Sequence, residues 1–206
     1  MKTFISSVIL FILFSNCSNP KAREEQSTKE PSSQIVGPDE AGARIIAEQT
    51  ASDTLKGSLK AKAMGIIGTT GITINYYSPA VRGRVVWGGL VPFDNVWVTG
   101  AHRATSIDFN QDVMIGGVTI TPGKYALFTI PGKEEWTIII NKKWDQHLAD
   151  DYDPKDDIVR VKVKPETEEA HQERLRYVIE TESNKTGEIV IYWEKLEVSL
   201  PVTELN

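Results

Sequence analysis

From residue 58 onward the chain is written in short alternations of apolar and polar positions, the period-two signature of half-buried strands. Ile72-Thr-Ile-Asn-Tyr-Tyr and Ser106-Ile-Asp-Phe show it most cleanly. Val85-Val-Trp and Val96-Trp-Val are shorter apolar runs that also read as strands. Residues 113–115 and 118–120 flank Gly116-Gly117. That pair supplies the positive φ angles of a tight primed turn, so the stretch predicts a hairpin. Pro122-Gly123 and Pro131-Gly132 punctuate the next two runs, Tyr125-Ala-Leu-Phe-Thr-Ile and Trp136-Thr-Ile-Ile-Ile. Further strands are expected at 158–163, 175–180, 189–193 and 196–202, with a turn at Asn184-Lys-Thr-Gly. About ten short strands so spaced predict an all-β fold, an antiparallel β-sandwich or flattened barrel. No helical pattern alternates with them, which argues against a parallel α/β sheet.

The pattern before residue 58 is different. Residues 4–14 are apolar, Lys2 precedes them, and Cys17 follows Ser15-Asn16. The run is shorter than the ~20 residues of a membrane span and fits the h-region of an export signal. Cys17 is the only cysteine, so it has no partner for an internal disulfide. Consumption as a lipid attachment point removes a free thiol from an oxidising compartment. The alternative is a secreted protein in which the cysteine is incidental. The reading is a lipoprotein signal peptide over 1–16, an acylated Cys17 with a flexible tether over 17–57, and one β-rich domain over 58–206. Residues 40–49 hold a weak helical pattern around Ile45 and Ile46. A flexible tether of that length reaches roughly 35 Å. No aspartate follows Cys17 as an inner-membrane retention cue. The expected location is therefore the outer membrane, facing the periplasm or the surface.

Composition narrows the partners. The formal charge is −5, and with Lys2 the only charge before Cys17, the chain from there on carries −6. Nucleic-acid binders show the opposite bias, so no nucleic-acid partner is expected. The expected partners are the membrane, through Cys17, and a glycan, a small molecule or an envelope protein.

Several motifs occur together: Tyr77-Ser-Pro-Ala-Val-Arg-Gly-Arg, Trp97-Val-Thr-Gly-Ala-His-Arg-Ala-Thr-Ser-Ile-Asp-Phe, Pro122-Gly-Lys-Tyr-Ala-Leu-Phe-Thr-Ile-Pro, residues 136–141 and Tyr192-Trp-Glu. In this order they resemble the bacterial "domain of unknown function twenty-nine-eleven", common in predicted lipoproteins of Bacteroidota. The resemblance spans residues 58–203. It implies an exported, β-rich domain and carries over no catalytic residue. The commoner form has Asn-Glu after the Gly-Ala pair, where this chain has His102-Arg103.

Two segments carry candidate chemistry. Residues 82–105 gather Arg82, Arg84, Trp97, His102 and Arg103 among glycines. Tryptophan faces beside arginines grip sugars, anions or planar rings. The competing reading makes the tryptophans core and pairs the arginines with acids. Residues 144–157 form a long acidic loop whose spacing does not fit an EF-hand. If the two segments meet, His102 and His147 with Asp145, Asp150 or Asp151 would make a divalent-metal site, the only cofactor the sequence suggests. His171 reads as part of an exposed loop. No nucleophile elbow or phosphate loop is present. The leading expectation is a membrane-anchored binding or structural module of the envelope, more a binder than an enzyme. The alternative is a hydrolase, metal-dependent or not, built on His102, His147 and nearby aspartates.

Overall fold

The computed structural model describes residues 33–37, 40–48 and 53–205; the signal and Cys17 lie outside them. Among the described residues, eleven strands form two antiparallel sheets. They are β1 (Ser33–Val36), β2 (Leu59–Ile67), β3 (Thr70–Ser78), β4 (Thr105–Phe109), β5 (Val113–Ile115), β6 (Val118–Ile120), β7 (Gly123–Ile130), β8 (Trp136–Asn141), β9 (Asp157–Val163), β10 (Glu166–Thr181) and β11 (Thr186–Glu204). One sheet runs β1-β2-β3-β4-β7-β8-β9 and the other β10-β11-β5-β6. This is the β-sandwich that the alternation predicts, not a closed barrel.

The core lies between the sheets. Ile72, Ile74 and Tyr76 of β3 and Ile138 and Ile140 of β8 face Tyr177 and Ile179 of β10 and Ile189, Ile191 and Trp193 of β11. Gly116 and Gly117 take φ angles of 57° and 80°, and Ile115 pairs with Val118 across them, so the predicted hairpin forms. Ala126, Leu127, Phe128 and Thr129 of β7 are buried in succession rather than alternately. A second apolar cluster explains this: Val98, Ala104, Ala126, Phe128 and Ile139 pack with Ala149 and Tyr152. Loops 96–104 and 142–156 thus cover the outer face of β7 and β8, and strands covered on both faces read as continuous apolar runs.

Four expectations need correction. Val85-Val-Trp and Val96-Trp-Val are not strands; they make only isolated bridges, Trp87 to Val91 and Trp97 to Thr129. Their apolar side chains serve packing inside irregular loops. His171 lies within β10, not in a loop. The segment expected as tether contains β1, paired with β2 from Ser33↔Gly65 to Val36↔Lys62, and helix α1 (Glu40–Glu48). Ile46 of α1 is fully buried in the core, so this segment docks by burying an apolar side chain. The end of the same expected tether is also fixed, by Arg174 and Arg82.

Arg174 sits where β10 bulges away from β11. Pairing runs from Gln172↔Glu194 to Arg176↔Tyr192, so four steps on β10 match two on β11. The released residues pair with the chain after β3 instead, Val81 N to Glu173 O at 2.8 Å and Leu175 N to Pro79 O at 3.0 Å. Arg174 is fully buried there. Its Nε donates to Asp53 Oδ2 at 2.5 Å, and Nη2 donates to Asp53 Oδ1 at 3.2 Å and Leu55 O at 2.8 Å. Nη1 donates to Gly57 O at 3.1 Å and Ser78 O at 3.0 Å. All five guanidinium N–H groups therefore have acceptors.

Glu204, at the end of β11, closes the β2–β3 turn. Its Oε1 accepts from Thr69 N at 3.0 Å and from the Thr69 hydroxyl. These hydrogen bonds, the hydroxyl's first, hold its carboxyl below the ordinary value of 4.5. A depressed folded-state value makes this contribution complete above about pH 4.5, and it is lost as the pH falls through the folded-state value. Glu204→Gln is expected to lower stability at neutral pH and to flatten the acid limb of a denaturation-midpoint curve below pH 4.5. An unchanged acid limb would show that Glu204 is not its source.

Candidate ligand-binding cleft

The two loops over β7 and β8 meet each other. Ala104 N donates to Gln146 O at 3.1 Å and Leu148 N donates to His102 O at 3.2 Å, with Arg103 opposite His147. Both sides of this junction carry residues in the left-handed region, Thr99 and His102 on one loop and Leu148 on the other, at φ of 51°, 64° and 52°. For β-branched Thr99 that conformation is strained and persists only where the surroundings over-determine it. They do so here: its carbonyl accepts from the Tyr177 hydroxyl at 2.7 Å and the Thr105 hydroxyl at 2.9 Å, and its own hydroxyl bonds Thr129 at 3.0 Å. Burial pushes the Tyr177 hydroxyl well above its ordinary value of 10, which keeps it a donor.

The far end of the acidic loop is equally fixed. Tyr152 donates to Asp157 Oδ2 at 2.7 Å and accepts from Arg160 Nη2 at 2.7 Å. Burial, then the bond to Asp157, pushes its hydroxyl up to about 12. Asp153 caps the short 3-10 turn Pro154–Asp156 by accepting from Lys155 N at 2.9 Å.

Between these fixed ends the loop surrounds an open cleft of about 580 Å³ lined by Lys142, Lys143, Trp144, Asp145, Gln146, Asp151 and Asp153. Trp144 stands at its side, 42 % exposed, with Lys124 Nζ 4.3 Å from the ring centroid. Gln146 is only 2 % exposed. Its Nε2 donates to Lys143 O at 2.5 Å, while Oε1 is buried without a partner. Asp145 pairs with Arg103, and Lys143 with Asp156 at 2.8 Å. The cleft thus combines an exposed aromatic face, carboxylates, ammonium groups and one unsatisfied amide acceptor.

The residues singled out from sequence divide sharply. Arg82 donates to Leu55 O, and Arg84 donates to Val81 O at 3.1 Å and Ala80 O at 2.5 Å, so both guanidinium groups tie down backbone. Trp97 is half-buried against the core, its indole N–H donating to Gly100 O at 3.1 Å. Its ring stacks on Trp193 at 5.6 Å and meets Trp87 at 5.9 Å and Trp136 at 6.5 Å. Four of the five tryptophans are therefore one core cluster, and Trp144 stands apart. His102 and Arg103 are exposed and close to the acidic loop, as the meeting of the two segments requires. The histidine side chains take different neighbours, however. His102 lies edge-on to Tyr77 at 5.1 Å, whereas His147 Nδ1 is 3.7 Å from Asp150 Oδ2. Among the described residues, no three His, Cys, Asp or Glu side chains gather closely enough to hold a metal ion. Sequence reasoning passed over Trp144 and Gln146, which line the cleft. The signal for Trp144 was present, a tryptophan inside a polar loop rather than on a strand.

The model of a family described as "Protein of unknown function (DUF2911)" matches residues 58–202, nearly the span over which the motifs carry the resemblance. No curated protein and no solved structure matches the chain.

Proposed function

Because the chain belongs to this family of unknown function, its task rests on its own site, and we propose that it is a lipid-anchored envelope module that binds a glycan at the Trp144 cleft. The carrying observation is the exposed tryptophan, set apart from the four in the core, beside a polar cleft. A sugar ring offers an apolar C–H face for an indole and hydroxyls that both donate and accept. Carboxylates accept from such hydroxyls and ammonium groups donate to them. The exported, anchored part of the reading is supported by the apolar segment at 4–14 and by the lone Cys17. A polymer of the envelope then meets the domain at high local concentration.

The test is titration calorimetry of the full-length protein with soluble peptidoglycan fragments and with envelope polysaccharide. Trp144→Ala is expected to weaken binding at least about tenfold, the scale of losing an aromatic anchor. The substitution is on the surface, so the thermal midpoint should hold. Binding that survives Trp144→Ala unchanged, or no binding of either glycan, contradicts the proposal.

A further inference from the structure

A second, larger recess lies away from the Trp144 cleft, where the sandwich opens between the β1–β2 edge and β10. Its volume is about 1290 Å³, and Ile35, Met64, Ile66, Ile72 and Val178 line it together with Arg176. Ile66 is 55 % exposed, unusual for a branched aliphatic side chain. Neighbouring Val36 is 43 % exposed. Exposed apolar surface of this kind marks a binding groove.

One cation serves the groove. The guanidinium of Arg176 lies 4.7 Å from the Tyr192 ring centroid and donates from Nη1 to Ala47 O at 3.3 Å, while its Nε is buried without a partner. The one carboxylate of the lining, Glu180, accepts from Tyr192 at 3.3 Å. Branched aliphatic side chains and a thioether make no directional demand on a ligand, whereas a guanidinium at the edge of the recess favours an oxyanion. The place in the chain points the same way. Gln34 and Ile35 of β1 form one wall, and β1 begins sixteen residues after Cys17. Sixteen residues span at most ~55 Å, so a wall of the groove is tethered within that distance of the predicted anchor.

We propose that this groove takes the acyl chain of a fatty acid, with the carboxylate at Arg176. The chain lies along Met64, Ile66 and Val178, and the head meets the guanidinium. The site is independent of the glycan reading.

The test uses the full chain carrying Cys17→Ser, titrated with carboxyl-¹³C palmitate and followed by NMR. Saturable one-to-one binding is expected. Ile66→Glu, a substitution at an exposed position, should weaken it at least about thirtyfold by placing a charge against the acyl chain. Arg176→Gln should weaken palmitate about tenfold and leave the methyl ester unaffected, since only the acid offers a charged acceptor. Trp144→Ala should change nothing here, which separates this site from the glycan cleft. Absence of saturable binding, or binding indifferent to Ile66→Glu, overturns the site. A methyl ester bound as tightly as palmitate overturns the role of Arg176.

Discussion

Arg174→Met is expected to destabilise the domain by about 3–5 kcal/mol, the usual cost of stranding a buried charge. Arg174 is fully buried, and the side chain of Asp53 is 5 % exposed. Removing the guanidinium leaves that carboxylate without its bidentate partner and takes donors from the carbonyls of Leu55, Gly57 and Ser78. On a domain of this size the loss corresponds to a melting-temperature drop on the order of 10 °C. Asp53→Leu should cost a comparable amount from the other side of the pair, because it strands the Arg174 guanidinium. The double variant Asp53→Leu, Arg174→Met separates charge from connectivity. It buries no unpaired charge, so it should recover part of the loss. Recovery is incomplete because the carbonyls of Gly57 and Ser78 still lose the guanidinium donor, while Leu55 O keeps Arg82. Denaturant unfolding of the four proteins reads all of this, and full additivity of the two single losses would contradict the coupling.

Trp193→Ala is expected to cost about 3–5 kcal/mol as well, through a large cavity rather than through charge. Trp193 of β11 stacks on Trp97 at 5.6 Å and meets Trp87 edge-on at 5.6 Å, and Trp87 meets Trp136 of β8 at 4.8 Å. The cluster therefore bridges both sheets and the irregular 79–104 segment. The indole N–H groups of Trp87, Trp136 and Trp193 are buried without acceptors. Aromatic packing must outweigh those unmet hydrogen bonds. Trp193→Phe keeps a ring and removes one unmet donor, so it should cost much less than alanine. Equal losses for Phe and Ala would refute this account.

The two clamps differ in how far the sequence announces them. Alternation gives the strands of both sheets because a half-buried strand has no other way to satisfy its two faces. It misleads at Val85-Val-Trp and Val96-Trp-Val, where apolar side chains are needed by the tryptophan cluster but the backbone is a loop. The Asp53–Arg174 pair is invisible because its members are 121 residues apart and Asp53 lies in a polar stretch that resembles a tether. No local pattern reports a contact made only by a bulge.

The candidate site was half visible. The sequence leaves open whether segments 82–105 and 144–157 meet, and their backbones do pair. The competing reading, tryptophans in the core and arginines paired with acids, holds for Trp97 and for Arg103, which pairs with Asp145, but a one-dimensional list of arginines does not show which guanidinium is spent on backbone. Arg82 and Arg84 hold carbonyls, and Trp97 holds the core. What remains toward solvent is Trp144, whose polar surroundings in sequence mark it as the tryptophan not needed for packing.

The central claim is that one tryptophan meets ligand while four hold the fold. Five indole N–H signals, one for each tryptophan, make it directly observable by ¹H–¹⁵N NMR. During titration with peptidoglycan fragments or envelope polysaccharide, the Trp144 indole signal should move progressively and saturably while the other four stay in place. A still Trp144 signal, with movement confined to the clustered tryptophans, would contradict the account.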